Sequence, residues 1–205
     1  TIAGTMLALE AAMIQAVVPD AIGHLISCSL ITLPAVVYIS HLLVPDRSPV
    51  TTGNQDIDRG ADSVMDAITV GTTNGLQLFL NIIAMIIVIV ALVYLTNAIL
   101  GTIPEIAGAT VTLERILGLI MAPLTMMMGV PLAEALITGQ LMGTKVVLTE
   151  FIAYVRFGQI PVEELSARTR VIMTYALCGF ANFVSLGIMI TGLVTMVPER
   201  RAEIL

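Results

Sequence analysis

The run Val171–Val197 contains no charged residue. It is longer than the roughly 20 apolar residues that a helix needs to cross a bilayer. Its centre, ALCGFANFVSLGI over Ala176–Ile188, nevertheless carries Gly179, Asn182 and Ser185. A continuous helix turns about 100° per residue, so Asn182 and Ser185 would share a face while Phe180 and Asn182 would not. For all three to serve one site, the helix must loosen near Gly179–Asn182. Irregular polar backbone at membrane depth is tolerated only where protein buries it or where it lines a cavity. The run therefore predicts a broken transmembrane helix whose break is a binding site.

The rest of the chain has the same character. Hydrophobic residues make up 57% of it and charged residues 12%, with no Trp, which is a membrane composition. The expected fold class is an all-α, polytopic membrane protein at the cell (inner or plasma) membrane. The net charge of −6 and the single lysine, Lys145, offer no basic stripe, so nucleic acid is not an expected partner. Cys28 and Cys178 both sit in apolar runs and read as buried, inert thiols. The chain starts within a helix-like run and closes on the charged Glu199–Leu205. From this we expect an internal portion of a larger membrane protein.

Residues 1–18 read as the end of a broken helix, closed by Pro19-Asp20. Glu10 lies in it, and the reading preferred from sequence is a carboxylate at the water-exposed end. Residues 21–44 form an uncharged span in which Pro34 predicts a kink. His24 and Cys28 share a face there, but two ligands alone make a poor metal site. Residues 45–66 form an acidic loop, with Asp46, Asp56, Asp58, Asp62 and Asp66 against Arg47 and Arg59. Ser63–Thr73 is expected as a short surface helix, and residues 76–100 as a scaffold span free of charge and Pro. Leu113–Gly129, interrupted by Gly118 and Pro123, is expected as a bent interfacial segment.

Residues 131–157 are apolar but hold Glu134, Lys145, Glu150 and Arg156, with small residues Gly139, Gly143 and Thr144 between. Divided at Gly143–Thr149, each half is too short for a core of about 30 Å. Two half-length helices predict a re-entrant hairpin with Thr149 as N-cap of the second half. Glu150 then falls in a first helical turn, where the helix dipole favours a carboxylate. Ionisable groups at that depth are costly and usually functional. An ion pair with Lys145 or Arg156 is the competing reading for Glu150; spacings of five and six put neither on its helical face. Asn182 could instead bridge two helices, Ser185 could bond back to its own helix, and Phe180 could be ordinary packing. Lys145 reads as structural.

At GTKVVLTEFIAY (Gly143–Tyr154) and ALCGFANFVS (Ala176–Ser185) the chain resembles the C-terminal half of concentrative nucleoside transporters. The opening TIAGT and the closing MVPERR fit the same family. The resemblance covers essentially all of this chain and about half of a family member. It implies secondary active symport of nucleosides by alternating access, driven by a sodium or proton gradient, with no other cofactor and with a trimeric assembly. It also implies that Glu150 contacts ribose, that Phe180, Asn182 and Ser185 contact base and ribose, and that Met6 touches the base. Thr1 and Ile2 fall where the family holds sodium with a hydroxyl and a carbonyl. Two departures stand out: Thr149 replaces the family's Asn before the Glu, and Met6 is larger than the usual Val. The family's first hairpin, which supplies a Gln, a Glu and the rest of the sodium shell, has no counterpart among these residues.

An enzyme is not expected. There is no H-E-x-x-H and no G-x-S-x-G, and both histidines lie in one early span. The alternative is a transporter or binding protein for another polar solute, such as nucleobases.

Overall fold

A computed structural model describes residues 4–45, 62–105 and 108–204. Thr1 and Ile2, and the larger part of the acidic loop, lie outside the described residues. Among those described, the architecture is helical throughout. Helix α1 (Gly4–Ile14) is followed by a turn at Pro19-Asp20 and by α2 (Ala21–Leu43), which continues through Pro34. Helix α3 (Val64–Leu100) follows, then α4 (Leu113–Met127), α5 (Leu132–Val147) and α6 (Glu150–Gln159). A short 3-10 turn, Val162–Glu164, leads into α7 (Ala167–Leu177). Helix α8 (Phe183–Met196) and the terminal turn α9 (Arg201–Ile204) complete the chain.

Helices α2 and α3 are long and apolar enough to cross a membrane. The segment expected as a separate surface helix, Ser63–Thr73, is instead the first part of α3. Ser63 caps it, its hydroxyl accepting from the Asp66 amide at 3.1 Å. No Pro or Gly pair then interrupts the register before the apolar run, so one 37-residue helix results. At 1.5 Å per residue it is about 55 Å long, well beyond a core of about 30 Å. Only Val93 of α3 is buried, while Phe79, Ile87, Leu92 and Tyr94 are all more than half exposed. Such a helix needs an apolar environment or further protein around it.

The core joins the remaining elements. Ala11 and Ile14 of α1, Leu25 of α2, Leu141 of α5, Tyr154 and Phe157 of α6, and Met173 and Leu177 of α7 form one buried cluster. Helix α3 stands apart from it and packs on α8, where Gly187 admits Met85 and Ile89 and the Asn81 amide donates to Thr195 at 3.2 Å.

Helices α4 and α5 run antiparallel at close range. A Cβ on Gly139 would collide with the backbone of Gly118 and Ala122, and one on Gly143 with the carbonyl of Glu114. Gly118, expected to interrupt this segment, is thus a contact point rather than a bend. The pair turns at Gly129, whose φ of 100° suits glycine, and is tied below the turn by Thr138 donating to Thr125 at 3.0 Å.

Helices α5 and α6 also fold back on each other. Arg156 donates to the Thr144 hydroxyl at 2.7 Å, and Ile160 lines the same crevice as Ile137 and Gln140. With 16 and 10 residues, they measure about 24 and about 15 Å, each shorter than a bilayer core.

A candidate ligand site between a helical hairpin and a broken helix

The apolar run that opened the sequence is broken. Helix α7 ends at Leu177 and α8 begins at Phe183. Between them Gly179 adopts φ 109°, a conformation that a side chain would strain. Both exposed helix ends have dedicated partners. On the α8 side, Asn182 is the N-cap, and its Oδ1 accepts from the Ser185 amide at 2.6 Å. On the α7 side, the Lys145 ammonium of α5 donates to the carbonyls of Ala176 at 2.7 Å and Cys178 at 3.5 Å. A cation at the C-terminal end and an amide oxygen at the N-terminal end satisfy backbone groups that the break leaves unpaired. That is why the chain can stay open here.

The other end of the Asn182 amide meets the hairpin. Its Nδ2 donates to Glu150 Oε2 at 2.7 Å, in the most buried part of the region. Glu150 is the first residue of α6, and the Thr149 hydroxyl caps that helix by accepting from the Ile152 amide at 3.3 Å. The two side chains are 2% and 7% exposed, respectively. Lys145 makes no ion pair with Glu150 or Glu10 at contact distance among the described residues. Thr149 thus caps the helix that carries Glu150.

Phe180, Ala181, Asn182, Ser185, Leu186, Ile188 and Met189 line an open cavity of about 680 Å³ beside this contact. Phe180 is 51% exposed. The Ser185 hydroxyl makes no hydrogen bond among the described residues, whereas the competing sequence reading had it bonding back to its own helix. The structure thus brings Asn182, Ser185 and Phe180 to one cavity, while Glu150 meets Asn182 without itself lining that cavity. Met6 is half-buried on α1 and does not line the cavity. Thr1 and Ile2 fall outside the described residues.

Two residues carry more weight here than their sequence context showed. Glu10, expected at a water-exposed end, is fully buried, which corrects that expectation. Residues 15–20 form a turn that folds α1 against α2 and α6 and encloses it. Lys145 was legible as structural, but its partners are backbone carbonyls some thirty residues away, which no spacing pattern marks.

A family described as "Na+ dependent nucleoside transporter C-terminus" matches residues 24–205. The chain belongs to the concentrative nucleoside transporter family. It is 40% identical over 188 residues to the "Uncharacterized transporter YutK" of Bacillus subtilis, covering 89% of this chain and 46% of that protein. It is 32% identical over 184 residues to the nucleoside permease NupC of Helicobacter pylori, covering 87% and 44%. It is 30% identical over 201 residues to sodium/nucleoside cotransporter 2 of Rattus norvegicus, covering 89% and 30%. Among solved structures, a variant of CNTnw in an outward-facing state matches with a TM-score of 0.83 at 33% identity, over 100% of this chain and 48% of that one. CNTnw in an inward-facing, substrate-bound state matches with 0.70 at 33% identity, over 100% of this chain and 48% of that one. This member of the family therefore spans about half the length of the bacterial relatives it matches. The family is one of membrane transporters rather than enzymes.

Proposed function

We propose that this chain supplies the substrate-holding half of a secondary active symporter that moves nucleosides across the membrane by alternating access. One observation carries the reading. A carboxylate on a helical hairpin and an amide at a helix break meet at 2.7 Å beside a cavity with an exposed phenyl ring and an unpaired hydroxyl. A nucleoside is neutral and offers hydroxyls and a flat base. Glu150 accepts from ribose hydroxyls, Asn182 and Ser185 complete the ribose contacts, and Phe180 stacks on the base. A ligand without the sugar leaves these polar groups unpaired, and affinity for it falls.

The names of the relatives support this assignment, since they include a nucleoside permease and sodium/nucleoside cotransporters. The solved neighbours support alternating access. The same stretch of CNTnw fits this chain differently in its outward- and inward-facing states, so its internal arrangement changes between them. The coupling cation is sodium or a proton, with Thr1 and Ile2 as sodium ligands. We place the protein as a multi-pass component of the plasma membrane, working as a homotrimer. The apolar, uncovered surface of α3 supports both lipid and subunit contact.

The test is a binding screen of the full-length protein against nucleosides, nucleobases and nucleotides. Nucleosides are expected to bind, with the matching free bases much weaker. Preferred binding of nucleobases would replace this reading with the alternative carrier.

A further inference from the structure

Glu10 is one of three residues among those described that hold a buried side-chain oxygen or nitrogen with no hydrogen-bond partner. It is 0% exposed, and neither carboxyl oxygen finds a hydrogen-bond partner among the described residues. It sits one turn along α1 from Met6, with Ala11 and Ile14 beside it in the apolar core. This half of the chain alone already encloses both oxygens, so no solvent reaches them.

The groups around it are few. From α5, Lys145 acts on it; from α6, Glu150 and the Tyr154 ring. Tyr154 is already committed, donating its hydroxyl to the Thr174 carbonyl at 2.7 Å. From the break, Cys178 lies within electrostatic range. From α2, the titratable groups are His24 and Cys28, both engaged with Tyr175. Lys145 is held by the carbonyls of Ala176 and Cys178. Glu10, Glu150 and Lys145 are thus all buried, with no ion pair between them at contact distance among the described residues.

A lone carboxylate in such a place is kept as the neutral acid or matched by a cation. A hard cation asks for several converging oxygens. Among the described residues no group of three or more His, Cys, Asp or Glu is placed to hold a metal ion. A single proton fits the site better than a metal ion.

We propose that Glu10 is a proton-carrying group of this transporter, which takes up and releases a proton as the substrate site beside it fills and empties. With the proton on Glu10, the cluster holds one ammonium and one carboxylate, and Glu150 stays ionised to accept ribose hydroxyls. When Glu10 loses its proton, a second negative charge enters the cluster and competes with Glu150 for Lys145. Occupancy by substrate and by proton are then linked through Lys145, and by reciprocity each favours the other.

The proposal rests on the transport reading for its uptake arm but not for its spectroscopic arm. Full-length protein and Glu10→Gln are compared in proteoliposomes under an imposed inward proton gradient, with and without a protonophore. The wild type is expected to accumulate nucleoside under the gradient, and Glu10→Gln to move it only down its own gradient. Infrared difference spectra between acid and alkaline pH are recorded on the same samples. A protonated-carboxyl stretching band is expected in the wild type and in Glu150→Gln, missing in Glu10→Gln and shifted in Glu10→Asp. Gradient-driven accumulation by Glu10→Gln, or a carboxyl spectrum unaltered by substitution at Glu10, overturns the proposal. A wild type that binds no nucleoside refutes the transport function instead, and the infrared band still reports on Glu10.

Discussion

Asn182 uses both ends of its amide. Oδ1 closes the first turn of α8 and Nδ2 reaches Glu150. This double use fixes the orientation of the side chain and links the helix break to the hairpin. Asn182→Ala removes an N-cap, which costs about 1 kcal/mol, and leaves the Glu150 carboxylate short of a donor. Hydrogen bonds to charged groups contribute about 1.5–3 kcal/mol, so nucleoside affinity is expected to fall by about tenfold or more. Isothermal titration of the full-length variant checks this, and an unchanged dissociation constant would count against the site. Lys145 is the cationic counterpart, closing α7 while offsetting the buried acids. Lys145→Met should lower stability by about 2–3 kcal/mol, because removing one partner leaves others buried and unpaired. If the shared charge is the cause, Glu10→Gln added to that variant restores part of the loss. Thermal unfolding in detergent would show strict additivity of the two changes if this coupling is absent.

Among the elements, α4, α5 and α6 are fixed by small residues and caps. Gly139 and Gly143 let α5 lie against the backbone of α4, leaving no room for a side chain. Gly143→Leu is expected to separate the two helices and reduce yield of folded protein, which size-exclusion profiles would report; a monodisperse variant of normal stability contradicts that packing. Thr149→Ala should cost about 1 kcal/mol through loss of the α6 cap, while Thr149→Asn, another good cap, should cost little. Much of this level could be read in advance. Glycine, asparagine and serine inside an uncharged run marked the break at 178–182, and Thr149-Glu150 marked the start of α6. The continuity of α3 was not legible, because the polar Thr69, Thr72, Thr73 and Asn74 separate the expected surface helix Ser63–Thr73 from the apolar span. In the helix the three threonine hydroxyls bond back to carbonyls one turn earlier. Glu10 was also misplaced. An apolar run considered alone gives no depth, and its burial depends on how α2 and α6 close over it.

At the scale of the whole molecule, two groups of helices stand out. Helices α1, α2, α5, α6 and α7 share one buried cluster, while the long α3 meets the rest through α8, α4 and a small contact at Val93 with Val147 and Leu148. The match to CNTnw is better for a variant in an outward-facing state, at a TM-score of 0.83, than for the inward-facing state, at 0.70. All of this concerns transport only if the hairpin carboxylate holds the substrate. The most direct test is uridine uptake by the full-length protein carrying Glu150→Gln, normalised to the amount in the membrane. The account predicts that uptake is abolished while expression and folding stay normal; uptake at the wild-type rate would contradict it.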